Sequence, residues 1–204
     1  MKRIACIILA LVLVLGLAAC GGSKKGSPEA AVDTLMAGIK EFDIKKIQSV
    51  LKEQVDEDDL GLDSEAVSPL LDLLKQWSSK TTYKLGKAEV NGEKAKVPVD
   101  VTFTDAADLI KAAFTEYFTA AMTKALSGEE VSEEDMTKLL VDTINEKSKT
   151  EKPGTTSTSL TLELEKIDGE WKFTDLPDDM MNIMFSNMMS AFEGMFDGLI
   201  DLGN

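Results

Sequence analysis

The stretch "TTYKLGKAEVNGEKAKVPVDVTFT", residues 81–104, decides the fold class. Its apolar period is two, and Asn91-Gly92 at its middle is a strong short-range hairpin signal. On the second strand Val97, Val99, Val101 and Phe103 share one face. On the first strand Tyr83 and Leu85 are odd-numbered, whereas Ala88 and Val90 are even. The phase flips at Gly86-Lys87, which predicts a β-bulge there. With a turn at Asn91-Gly92, that bulge sets Leu85 opposite Val97 and Tyr83 opposite Val99, with Tyr83 facing inward.

A second hairpin lies in "LELEKIDGEWKF", residues 162–173. The turn at Asp168-Gly169 pairs Leu164 with Phe173 and Lys166 with Trp171. Around the hairpins the period is helical. Ser27-Pro28-Glu29 is a helix start, and Ala31, Val32, Leu35, Met36 and Ile39 form its apolar face. At "EFD", residues 41–43, the helix breaks, and Asp43 caps a restart reaching about Glu53. A third helix spans Ser68 to Ser79. A fourth runs from Asp105 to about Leu126, with Leu109, Ile110, Ala113, Phe114, Tyr117, Phe118, Ala121 and Met122 as a broad apolar face. Ser132 with Asp135 opens a fifth, to Lys147, followed by a polar loop over residues 146–157. The expected architecture is α+β: a curved antiparallel sheet built from two hairpins, packed on N-terminal, central and C-terminal helices.

The N-terminus, "MKRIACIILALVLVLGLAAC", has Lys2 and Arg3, then an apolar run from Ile4 to Ala19, too short for an unkinked membrane span. Its end, Leu17-Ala18-Ala19-Cys20, closely resembles the lipobox of bacterial lipoproteins. The resemblance implies cleavage before Cys20 and lipid on its thiol, and therefore a signal peptide over 1–19, a lipidated tether over 20–27 and one domain over 28–204. The expected location is the extracytoplasmic face of the cell membrane, held by lipid on Cys20.

Composition narrows function. Of 204 residues 28% are charged, the net charge is −14, and histidine is absent. An excess of carboxylates disfavours nucleic acid. The lack of histidine removes the commonest general base and metal ligand. Both cysteines, Cys6 and Cys20, precede the domain, so no thiolate site or disulfide is available to it. The acidic run Asp56 to Asp63 lacks two EF-hand ligands and reads as a solvated loop. No metal and no cofactor is expected.

Two N-terminal helices broken at "EFD", the "VNGEKAKVPVDVTF" hairpin and the "LELEKIDGEWKF" hairpin resemble bacterial lipoproteins with a nuclear transport factor 2-like, or cystatin-like, cone domain of unknown function. The resemblance implies a curved sheet around a cone-shaped pocket and carries over no catalytic residue. "MMNIMFSNMMSAFEGMF", residues 180–196, then reads as a Met-rich helix within 178–200, starting after Pro177. Its stripe includes Met181, Met184, Phe185, Met188 and Phe192 and reads as a docked lid or plug. Lacking Lys and Arg, it is not an interfacial membrane helix. The expected function is non-enzymatic: a binding or interaction module for a hydrophobic small molecule or partner helix, with Tyr83, Tyr117, Met184, Met188 and Phe192 as candidate ligand contacts. The alternative is a pocket enzyme of the isomerase or dehydratase type, which needs a buried tyrosine or carboxylate facing the pocket.

Overall fold

A computed structural model describes residues 26–53, 65–128 and 132–191. In chain order these form α1 (Pro28–Glu41), α2 (Ile44–Gln48), α3 (Ser68–Ser78), β1 (Thr82–Leu85), β2 (Glu89–Asn91), β3 (Lys94–Asp105), α4 (Ala107–Ser127), α5 (Glu133–Thr150), β4 (Gly154–Ile167), β5 (Glu170–Lys172) and α6 (Asp178–Met184). The class is α+β, with an open antiparallel sheet in the order β1-β3-β4-β5 and β2 also pairing with β3.

The two hairpins become one sheet because β3 and β4 pair along their length, from Lys94↔Glu165 to Asp105↔Gly154. Alternation then sorts the faces. Ala95, Val97, Val99, Val101 and Phe103 of β3 are buried, joined by Leu160, Leu162 and Leu164 of β4 and by Trp171 and Phe173. Helices α1 and α3 cover this face, supplying Val32, Leu35, Met36, Ile39 and Trp77, all buried. Each such large side chain stabilises the fold by about 1.5–3 kcal/mol. The opposite face is polar: Lys94 pairs with Glu165 at 3.1 Å and Lys96 with Glu163 at 2.6 Å.

The expected bulge is present. Leu85 pairs with Val99 and Glu89 with Lys96, so the first strand carries one residue more than β3 between these points. Gly86 N–H donates to the Pro98 carbonyl at 2.7 Å. The register corrects the sequence reading by two. Tyr83 lies opposite Val101, not Val99, and Leu85 opposite Val99, not Val97. The cause is the turn: Asn91 pairs with Lys94, so the loop is Gly92-Glu93, with Gly92 at φ 63°. Glycine at the first central position suits a type II′ turn. Because the shift is even, every side chain keeps its face. In the second hairpin Lys166 pairs with Trp171 as expected, and Asp168 and Gly169 both have positive φ, 51° and 88°.

Helix boundaries follow their caps. Ser27 Oγ accepts from Ala30 N–H at 3.2 Å, and Asp43 Oδ1 accepts from Lys46 N–H at 3.0 Å, across a break at Phe42 (φ 52°). Helix α2 stops at Gln48, short of Glu53, because the chain turns to bridge β5: Phe173 N–H donates to Val50 O and Lys52 N–H to Phe173 O, both 2.9 Å. Ser132 and Asp135 form a full capping box. Helix α5 runs on to Thr150, and the loop expected over 146–157 contracts to residues 151–153, since Gly154 onward pairs with β3.

Candidate functional site

The Met-rich segment is not one continuous helix over its described part. Helix α6 ends at Met184, and Ser186 (φ 53°) and Asn187 (φ 61°) take left-handed conformations before a helical turn over residues 188–191. The break is held on both sides. Ala106 N–H donates to Ser186 O at 2.9 Å, Asn187 N–H to Asn182 O at 2.8 Å, and Ser190 Oγ to Asn182 Oδ1 at 2.8 Å. The kink re-aims the side chains. Met180, Ile183, Met184, Met188 and Ala191 are buried, whereas Met181 and Met189 are 42% and 45% exposed. Met181, read from the sequence as part of the apolar stripe, points outward, and Met180 takes its place in the core. Phe185 is half-buried and meets Phe42 edge-on at 6.5 Å between ring centroids. Met184 and Met188 are therefore both part of the core cluster.

The two candidate tyrosines sit on different elements. Tyr83, on β1, packs its ring against the edge of the core and donates a 2.7 Å hydrogen bond to Asp33 Oδ1 on α1. Burial, then the hydrogen bond and charge of Asp33, push its pKa up to about 12. The phenol is therefore neutral at any physiological pH and acts as a donor. Tyr117, half-buried on α4, lies against the Phe114 ring at 5.6 Å. Phe192 and Cys20 lie outside the described residues, as do the acidic run Asp56 to Asp63, the signal segment and the chain after residue 191.

Surface depressions among the described residues include three. One of about 430 Å³ lies at Glu41–Lys45, one of about 190 Å³ between Asp105, Asp108 and Glu151–Thr155, and one of about 270 Å³ between α3 and Asn145. None of the three is lined by Tyr83, Tyr117, Met184 or Met188. Among the described residues, no group of three or more Asp, Glu, His or Cys is placed to hold a metal ion, and no helix is long and apolar enough to cross a membrane.

The most conspicuous exposed apolar surface among the described residues includes Phe118 and Met122, which periodicity placed on the apolar face of α4. Helix α4 buries only Leu109, Ile110 and Ala113, in its first two turns. Further along, Phe118 is 53% exposed, Met122 48% and Leu126 83%. Beside them Thr115, Thr119 and Thr123 each donate their hydroxyl to the carbonyl four residues back, at 2.9, 3.0 and 2.9 Å. With the hydroxyls turned onto their own helix, the threonines add methyl groups to the face. Residues 115, 118, 119, 122, 123 and 126 thus form an uncharged stripe about 16 Å long, at 1.5 Å per residue. Helix α5 packs on another side of α4, where Lys147 pairs with Glu116. The threonine spacing was visible in the sequence; that no described element covers the stripe was not.

No family model matches the chain, and no curated protein matches it. Among solved structures it is similar to a Bacillus subtilis protein described as a lipoprotein (ycdA), with 15% sequence identity and a TM-score of 0.42. The match covers 82% of this chain and 60% of that one, so the chain spans under two thirds of its neighbour's length.

Proposed function

We propose that the chain is a membrane-anchored extracytoplasmic lipoprotein, tethered by lipid on Cys20, whose domain is a cone-type binding module and not an enzyme. Its partner is an amphipathic helix of another protein, docked on the outer half of α4. The observation that carries this reading is the stripe of Thr115, Phe118, Thr119, Met122, Thr123 and Leu126. Its residues repeat at three and four, the spacing at which one helix packs on another. It holds no charge that a docking helix would have to desolvate. The anchor reading is supported by the positively charged start, apolar run and Leu17-Ala18-Ala19-Cys20 at the N-terminus. The absence of histidine supports a role without acid–base chemistry.

Titration calorimetry of the full chain in detergent against a set of amphipathic helical peptides tests the docking reading. Binding is expected for peptides with an uncharged apolar stripe, and Met122→Asp is expected to weaken it at least about tenfold, or about 1.4 kcal/mol. Failure of every peptide, or binding untouched by Met122→Asp, overturns it. For the anchor, Cys20→Ala is expected to release the protein from membranes; retention of the variant there refutes lipidation.

A further inference from the structure

Strand β4 is paired on one side by β3 over Gly154 to Glu165, but on the other by β5 only at Glu165, Lys166 and Ile167. The direction of its remaining backbone groups follows from a bond on the far side of β3. Gly86 N–H donates to Pro98 O, so the even-numbered β3 residues direct their backbone toward β1 and β2. Direction alternates along a strand, so Val97, Val99, Val101 and Phe103 turn theirs toward β4, where they meet Leu162, Leu160, Thr158 and Thr156. Thr155, Ser157, Ser159, Thr161 and Glu163 are left pointing away from β3. The next hairpin agrees: Lys166 N–H turns back to Glu93 O, on the β3 side. Among the described residues nothing pairs with the backbone of these five.

Natural sheets guard such edges with charge, proline, bulges or cover. The other edges here are guarded. The β1–β2 edge carries Lys84, Lys87, Glu89 and the bulge at Gly86, and just past β5 Phe173 is bridged by Leu51. The stretch from Gly154 to Leu162 has no charge and no proline.

We infer that this edge of β4 pairs antiparallel with the same edge of a second copy, about a two-fold axis through Ser159. In that register Ser159 meets the partner's Ser159, Ser157 meets the partner's Thr161, and Thr155 meets the partner's Glu163. All five outward residues are used, and no like charges oppose each other directly. The ends fit as well. At one end β5 begins its pairing at Glu165, and at the other β4 starts only after Pro153, so the five outward residues fall between the two limits. A two-fold pair closes the edge and stops further addition. With each copy carrying net charge −14, association strengthens as salt screens the bodies.

Sedimentation of the full chain in detergent is expected to show a dimer that tightens with salt. Under mild oxidation Ser159→Cys is expected to give a disulfide-linked dimer in membranes, whereas the unsubstituted chain and Lys96→Cys, on the central strand, do not. Ser159→Pro removes an outward N–H and no β3 backbone bond, and Ser159→Ala, which loses the same Ser159 Oγ to Asp100 Oδ1 bond at 2.6 Å, is its control, so Ser159→Pro alone is expected to raise the dimer dissociation constant at least about tenfold with circular dichroism unchanged. A monomer at all concentrations, a dimer indifferent to Ser159→Pro, open-ended assemblies, or no cross-link at Ser159→Cys overturns the inference. Slow hydrogen exchange at Ser157, Ser159 and Thr161 in a monomer does so too, because it means the chain covers this edge itself.

Discussion

The Tyr83 hydroxyl donates to Asp33 Oδ1 at 2.7 Å, joining the edge strand β1 to the first helix across fifty residues of sequence. The bond sits where the bulge at Gly86 leaves β1 short, so it supplements a ladder of only four residue pairs. Tyr83→Phe keeps the ring packing and loses the bond. A loss of about 0.5–1 kcal/mol is expected, at the low end for a hydrogen bond because the site is half-exposed. Because the folded pKa is raised from 10 to about 12, this contribution is complete below pH 10 and disappears as pH rises toward 12. Urea melts of both proteins across that range check it: the difference between them should shrink with rising pH.

A second tie acts at the acid end. Glu29 Oε1 accepts from Ala88 N–H at 3.0 Å, holding the bulge against α1. Burial raises the Glu29 pKa, but hydrogen bonds from the Glu29 and Ala88 backbones and Ser27, with the nearby Lys87 charge, outweigh it and lower the value below 4.5. The stabilisation is therefore present above pH 4.5 and lost as pH falls through the folded value. Glu29→Gln is expected to flatten stability against pH in that acid window. An unchanged slope would remove Glu29 from the account.

Two leucines differ sharply in what they hold. Leu162, opposite Val97 of β3, is fully buried in the core, and Leu162→Ala is expected to cost about 2–5 kcal/mol. Leu126, 83% exposed on α4, is expected to cost under about 0.5 kcal/mol as Ala. Thermal unfolding of the two variants gives the comparison. Comparable losses would mean that Leu126 is covered.

The α1–α2 corner depends on one missing side chain. A Cβ on Gly38 would lie 2.8 Å from Ile47 Cγ1 and 3.0 Å from Ile47 N. Gly38→Ala gains up to about 1 kcal/mol of helix propensity but forces α2 off α1. The overlap involves backbone, so it outweighs the gain, and a net loss of about 1–2 kcal/mol is expected by denaturant titration.

Much of the local structure was legible in the residues. Ser27, Asp43 and the Ser132–Asp135 pair mark helix starts because their side chains satisfy N–H groups within three residues. The bulge at Gly86-Lys87 was legible as a phase flip. The strand register was not, because Asn91-Gly92 and Gly92-Glu93 are both competent turns and both keep the same residues inward. The Met-rich segment misled in detail. Its spacing suits one helix, but the bond from Ala106 to Ser186 and the left-handed pair at Ser186-Asn187 come from segments eighty residues apart.

By itself the sequence determined the α+β class, both hairpins, the capped helix starts at Ser27, Asp43 and Ser132 and the inward face of each strand, since caps, turns and alternation act over a few residues; the fourth helix, read from Asp105, starts at Ala107 because Asp105 still pairs in β3. Only the tertiary structure decided that β3 and β4 join the hairpins into one sheet, and that among the described residues nothing covers the outer half of α4 or pairs with the outer edge of β4. Those outcomes depend on which distant segment occupies each neighbouring position. An apolar stripe or a free N–H looks the same in the sequence whether or not a partner arrives.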